Sequence, residues 1–357
     1  MPSLFDPITI GAIEAPNRIF MAPLTRTRAT PAHVPTELMI EYYRQRAGAG
    51  LIISEATGIS RQGLGWPSAP GLWTDEQTEA WKPVTEAVHK AGGRIVAQLW
   101  HMGRLARPDV TGLQSVSSSA TRAPYHDPDK NPYDTARPLT VDEIAATLDD
   151  YASASRNAIR AGFDGVQVHG ANGYLIDQFL RRTANQRTDE YGGSLSNRIR
   201  FAQEVLTAIG DAIGRERTGI RLSPFITQRG MNDPQVIDAI LALAAWCEQQ
   251  GIAFIHLAEA DWDDAPAVPL HFRDTLRATF SGTLIVAGNY DQQKAERILG
   301  AGLADLVAFG RPFIANPDLP QRLQHRWPLA TVSDPGTLFG GTAAGYTDYP
   351  FYTEHKE

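Results

Sequence analysis

Eight times along this 357-residue chain, a short and nearly uninterrupted apolar run gives way to a stretch with helical spacing. The runs cover residues 19–25, 51–56, 94–101, 165–168, 218–224, 252–258, 283–288 and 305–311. Strands that lack polar alternation are strands covered on both faces, as in a parallel sheet. Helices are predicted over 35–49, 74–91, 141–161, 197–213, 234–250, 272–280, 291–300 and 316–325. Thr74 is an expected N-cap, as is Ser194 or Ser196, and Pro317 suits the first turn of the last helix. Ahead of the first run, residues 4–13 turn around Gly11 as a small hairpin.

Strands alternating with helices require right-handed crossovers and a parallel sheet, and eight such units predict a (β/α)8 TIM barrel with an N-terminal β-hairpin. The competing arrangement is an open doubly wound sheet. Its glycine-rich fingerprint is missing from the turn after the first run, Pro23-Leu-Thr-Arg-Thr-Arg, which favours the barrel. The rhythm breaks once, after strand 3, where residues 102–138 are rich in Ser, Thr, Pro and Asp without helical period. The alternation then resumes in phase. Residues 102–140 are therefore expected to be a capping excursion within one domain spanning 1–357, not a linker.

Composition narrows the partners. A net charge of -7 with no long basic block argues against nucleic acid or an anionic membrane. The start lacks the basic and apolar regions of a signal peptide, and no apolar run nears the ~20 residues that span a bilayer. A cytoplasmic location is expected. The one cysteine, Cys247, excludes an internal disulfide framework and sits in an apolar helical stretch, as a buried core residue does.

In a barrel the active site lies at the C-terminal ends of the strands. Those ends carry Thr25; Ala56; Gln98, Trp100 and His101; His169, Asn172 and Tyr174; Arg221; Glu259 and Trp262; Gly288 and Asn289; Gly310 and Arg311. The last two pairs each lead into a helix. Either they are plain turns or their backbone N–H groups and the arginine receive a phosphate, a recurring use of this corner. The remaining set holds no metal-ligand cluster and no strand-end lysine, which weighs against a metallohydrolase or a Schiff-base aldolase. Amide and hydroxyl donors with a guanidinium suit a large planar polar cofactor. A buried Arg221 needs an anionic partner.

These residues resemble the old yellow enzyme family. The resemblance rests on Met21-Ala-Pro23-Leu-Thr25-Arg26, Gln98-Leu-Trp100-His101, His169-Gly-Ala-Asn172-Gly-Tyr174 and Arg187-Thr-Asp-Glu-Tyr191-Gly-Gly-Ser194. It rests also on Arg221-Leu-Ser-Pro224, Phe309-Gly310-Arg311-Pro and the tail Gly345-Tyr-Thr-Asp-Tyr349-Pro, and runs in order from about residue 4 to 352. It implies a barrel with non-covalent FMN that takes hydride from NADPH or NADH. The implied reaction reduces the C=C bond of α,β-unsaturated carbonyl compounds or nitroalkenes. Reduction of nitrate esters or nitroaromatics on the same site is one alternative, and a non-catalytic flavin- or phenol-binding protein is another. Pro23, Leu24, Thr25, Ala56, Gln98 and Arg221 are then expected against the flavin, with the arginine stabilising its anionic reduced form. Gly288, Asn289, Gly310 and Arg311 are expected at its phosphate. The resemblance implies that His169 and Asn172 grip the substrate oxygen and that Tyr174 donates the proton, an unperturbed phenol (pKa about 10) being protonated at neutral pH. Trp66, Trp100, Trp262 and Phe339 are expected as walls of the substrate site. Phe339 stands where many relatives carry a tyrosine. Asn172 is one of two versions of the pair, others having a second histidine, and the 225–234 loop is shorter than in many relatives. The expected partners are small electrophilic alkenes, acting on a monomer or homodimer.

Overall fold

The computed structural model describes residues 2–125, 128–260 and 264–353. Eight strands close into a barrel in chain order: Ile19–Met21, Ile52–Gly58, Ile95–Trp100, Gly165–Gly170, Thr218–Leu222, Phe254–Ala258, Thr283–Ala287 and Leu306–Phe309. Every neighbouring pair is parallel, and closure comes where Val307 meets Ile19 and Phe309 meets Met21. Both faces are covered, so nearly every strand residue is buried, which explains the unbroken apolar runs. The predicted (β/α)8 barrel is therefore the fold.

Several of the helices that cover the strands begin where side chains satisfy their first N–H groups. Thr74 and Gln77 form a reciprocal capping box ahead of Asp75–Lys90, and Thr140 with Glu143 does the same for Val141–Arg160. Ser194, rather than Ser196, caps Leu195–Ile213. Cys247 is fully buried on Val236–Gln250.

The barrel's two ends differ in chemistry. The N-terminal hairpin pairs Ile8–Ile10 with Ile13–Ala15, slightly later than expected. Its Ile10 and Ile13 join Phe20, Ile53, Val96, Phe254, Ile285 and Leu306 in one buried cluster that plugs the bottom. Successive inward positions on a strand are two residues apart. Moving up from Val96 gives Gln98, and from Phe254 gives His256, so the interior turns polar toward the C-terminal mouth.

Three expectations change. The predicted 316–325 helix starts later, as Leu319–His325, and a separate short helix, Arg311–Ala315, comes before it. Pro320, not Pro317, occupies the first turn of Leu319–His325, because Asn316 Oδ1 accepts from the Ala330 N–H and its amide donates to Pro312 and Ala330, holding the chain out of helix there. A short helix absent from the prediction, Leu175–Leu180, follows the fourth strand directly. The 102–140 excursion is ordered locally by Gly103–Leu105, Pro108–Thr111 and a two-residue pairing of Val116–Ser117 with Arg137–Pro138. Among the described residues no helix is long and apolar enough to cross a membrane.

Candidate active site

A cavity of about 410 Å³ opens at the C-terminal mouth of the barrel. Its floor comes from small side chains. Ala22, Ala287 and Ala308 face inward two positions above Phe20, Ile285 and Leu306, and Ala56 joins them from the second strand. Large residues below and alanines above leave a shallow space that a flat molecule fits.

One wall is polar and fixed. The Gln98 amide donates to Gln167 Oε1 at 2.8 Å, and Gln167 pairs with His256 Nδ1 at 3.0 Å. This orients Gln98 so that its own carbonyl oxygen is left for the cavity. Arg221 lies in register between His169 on the fourth strand and His256 on the sixth. Burial first, and then the Arg221 charge, pushes both imidazoles well below their ordinary value, so both rings are neutral. The positive charge thus stays on the guanidinium.

The end of the fourth strand is held by a second layer. Asn172 takes a left-handed backbone (φ 59°), a conformation Asn tolerates better than most residues. Its N–H donates to Ser223 Oγ at 2.8 Å, Arg229 Nη1 donates to the Asn172 carbonyl at 2.8 Å, and the Gly173 N–H donates to Asp177 Oδ2 at 2.9 Å. Asp177 is fully buried with Arg181 in an ion pair of 2.7 Å. Gln178 ties the same turn to the excursion: it donates to Met102 and Gly173 carbonyls and accepts from Ser117 and the Arg104 N–H. The result brings three rings together. Tyr174 packs edge-on at 4.7 Å from His169 and 5.0 Å from Trp100. Among the described residues Asn172 Oδ1 and Trp100 Nε1 are buried without a hydrogen-bond partner, a state that a ligand relieves.

The roof is the C-terminal segment. Arg26 donates to the carbonyls of Leu338 and Gly345 at 2.8 and 2.7 Å, and Arg28 to that of Thr337 at 2.8 Å. Tyr346 stacks on Tyr42 with ring centroids 4.0 Å apart. These contacts set Phe339 over the cavity, 5.7 Å from Trp66 between ring centroids, while leaving the residue 42% exposed. At the far corner Gly288, Asn289, Gly310 and Arg311 line the cavity together.

Every described residue expected against cofactor or substrate lines this one cavity; Trp262 lies outside the described residues. His101 does not reach it. It is buried with its pKa pushed down to about 3 by desolvation, and its Nδ1 accepts from the Gly103 N–H. Arg229, Leu338 and Tyr290 line the cavity without having been anticipated. Arg229 sits 5.7 Å over the Tyr174 ring, on the 225–234 loop noted only for its length. Among the described residues no group of three or more His, Cys, Asp or Glu could hold a metal ion.

Residues 3–330 match the model of the NADH:flavin oxidoreductase / NADH oxidase family. The chain belongs to this family, that of old yellow enzyme. An old yellow enzyme homologue from Zymomonas mobilis is 50% identical, with a TM-score of 0.94 over 98% of this chain and 100% of that one. Morphinone reductase in complex with tetrahydroNAD is 46% identical with the same TM-score, over 100% of this chain and 99% of that one. The 12-oxophytodienoate reductase 1 of Oryza sativa subsp. japonica is 42% identical over 99% of this chain and 94% of its own length. This member of the old yellow enzyme family is an FMN-dependent oxidoreductase with a nicotinamide reductant. The residues fit the cofactor. The alanine floor accepts a planar ring, Gln98 and Arg221 offer an acceptor and a cation at one end, and the glycine corner offers backbone N–H groups at the other.

Proposed function

We propose that this enzyme is an ene-reductase, which uses NADPH or NADH to reduce the C=C bond of α,β-unsaturated carbonyl compounds or nitroalkenes. The observation that carries this reading is the convergence of His169, Asn172 and Tyr174 on one wall above a flat alanine floor. Pro23, Leu24, Thr25, Ala56, Gln98 and Arg221 would hold the flavin ring, and Gly288, Asn289, Gly310 and Arg311 its phosphate. FMN, when bound, supplies the hydride that the nicotinamide provides.

The protein's own groups do the rest. His169 Nδ1 accepts the Ala171 N–H at 3.4 Å, so the neutral ring carries its proton on Nε2 as a donor. That N–H and the Asn172 amide grip the carbonyl or nitro oxygen of the alkene. They stabilise the negative charge that gathers there as the β-carbon gains hydride. Tyr174, whose ring is fixed against His169 and Trp100, gives its proton to the α-carbon and is reprotonated from solvent. The alkene gains a hydride and a proton, and the nicotinamide loses a hydride. Trp66, Trp100 and Phe339 bound the substrate. In the same reading the chain works as one unit, with residues 102–140 as its cap.

The test is product analysis. Incubated without dioxygen with NADH or NADPH and 2-cyclohexen-1-one, the enzyme is expected to form cyclohexanone mole for mole with nicotinamide consumed. Nicotinamide oxidation only when dioxygen is admitted, with no saturated ketone, would exclude the reading.

A further inference from the structure

The loop after the seventh strand is held from behind by a lysine. Lys294, in the first turn of Gln292–Gly300, sends Nζ back to the carbonyl of Gly288 at 2.9 Å and that of Asn289 at 3.4 Å. The same Nζ lies 4.0 Å over the Tyr290 ring. The Tyr290 hydroxyl donates to Glu259 Oε2 at 2.9 Å, and Arg273 grips both oxygens of Glu259 at 2.6 and 2.9 Å. Both oxygens of Glu259 are therefore engaged by a guanidinium, while the Asp291 carboxylate accepts the Lys294 N–H as the N-cap of that helix.

The backbone so held is unusual. Asn289 has φ 49° and Gly288 φ 153°, and a Cβ at 288 would meet Ala260 N and Glu259 Cβ at 2.9 Å each. A left-handed non-glycine residue costs free energy and persists where its surroundings impose it. A trans peptide is planar, so its N–H points opposite to its C=O. With the carbonyls of 288 and 289 drawn to Lys294, the N–H groups of Asn289 and Tyr290 are turned away from it. No acceptor for either is found among the described residues, and both residues line the cavity.

We propose that Lys294 is a positioning residue that aims the Asn289 and Tyr290 N–H groups at the FMN phosphate, and so sets the site's preference for FMN over riboflavin. This rests on the placement of the phosphate at this corner. Lys294 is only half-buried, so its removal is expected to leave the fold intact.

The full-length apoprotein is titrated with FMN and with riboflavin, following flavin fluorescence, for wild type, Lys294→Met and Lys294→Arg. Lys294→Met is expected to weaken FMN about ten- to a hundredfold, the worth of one or two hydrogen bonds to a charged group. Riboflavin affinity stays unchanged, and Lys294→Arg restores most of the preference. Equal losses for both flavins, or an undiminished FMN preference in Lys294→Met, would overturn the inference. A wild type that binds both flavins alike would instead remove the phosphate corner itself.

Discussion

The end of the fourth strand and the corner after strands seven and eight are built in opposite ways. At the fourth strand the chain presents side chains, His169, Asn172 and Tyr174, and the backbone beneath them is pinned by the buried Asp177–Arg181 pair, Ser223 and Arg229. At the corner the chain presents backbone with the Arg311 side chain beside it, and other side chains hold that backbone from behind: Lys294 on two carbonyls and Glu259 between Arg273 and Tyr290. Chemistry on a substrate needs groups that donate and release protons, which only side chains supply. Holding a phosphate needs fixed dipoles, which peptide N–H groups supply at little cost in reach. Damage to the two regions should therefore read out in different quantities.

The largest effect is expected from Asp177→Ala. It strands a buried guanidinium, and breaking such a pair costs about 3–5 kcal/mol. The chemical-denaturation midpoint should drop accordingly, and residual folded enzyme should lose turnover because the Gly173 N–H loses its acceptor. His169→Ala comes next. Removing one donor to a developing oxyanion slows chemistry about 10²–10³-fold, and flavin content should stay at the wild-type level. Arg311→Ala should do the reverse: about tenfold weaker FMN binding in equilibrium titration, with near-normal turnover once flavin is saturating. An Arg311→Ala protein that keeps its flavin but loses turnover would collapse the distinction.

The smallest effect is one of pH. Beside the fourth strand His101 is buried neutral with a pKa of about 3, and its carbonyl accepts the Leu175 N–H. Below about pH 6.5 the unfolded chain takes up a proton there that the native state does not, so stability falls as pH falls. This loss of about 1 kcal/mol per pH unit is absent in His101→Gln, which should gain on wild type between pH 6.5 and 4.5 in urea unfolding. A constant gap across that window would mean that His101 takes its proton in the folded state.

The same contrast decides what the sequence could reveal. Side-chain chemistry leaves residue types at strand ends, so His169, Asn172 and Tyr174 were visible as soon as the eight apolar runs were counted. Backbone chemistry leaves only glycines, and Gly288 read alone is equally a turn. Lys294 lies six residues past Gly288 in an ordinary helical pattern, and nothing local tells that its amine folds back. The alanine floor carries no chemistry and emerges only once register places it above Phe20, Ile285 and Leu306. All six residues of Leu175–Leu180 are buried, including Asp177 and Gln178, so that helix has no solvent-facing side and no amphipathic period to detect. Arg229 enters the cavity because its backbone turns left-handed (φ 59°) and Arg104, 125 residues earlier, donates to its carbonyl. Such a contact between the excursion and the 225–234 loop has no local signature.

Whether holding the cofactor and protonating the substrate belong to separate regions is decided by stopped-flow on Tyr174→Phe. Flavin bleaching by NADH or NADPH is followed first, and recovery of its colour on adding an enone second. Reduction is expected at the wild-type rate, and reoxidation slowed about 10²–10⁴-fold, the range for loss of a general acid. Reoxidation at the wild-type rate, or equal slowing of both steps, would contradict that separation.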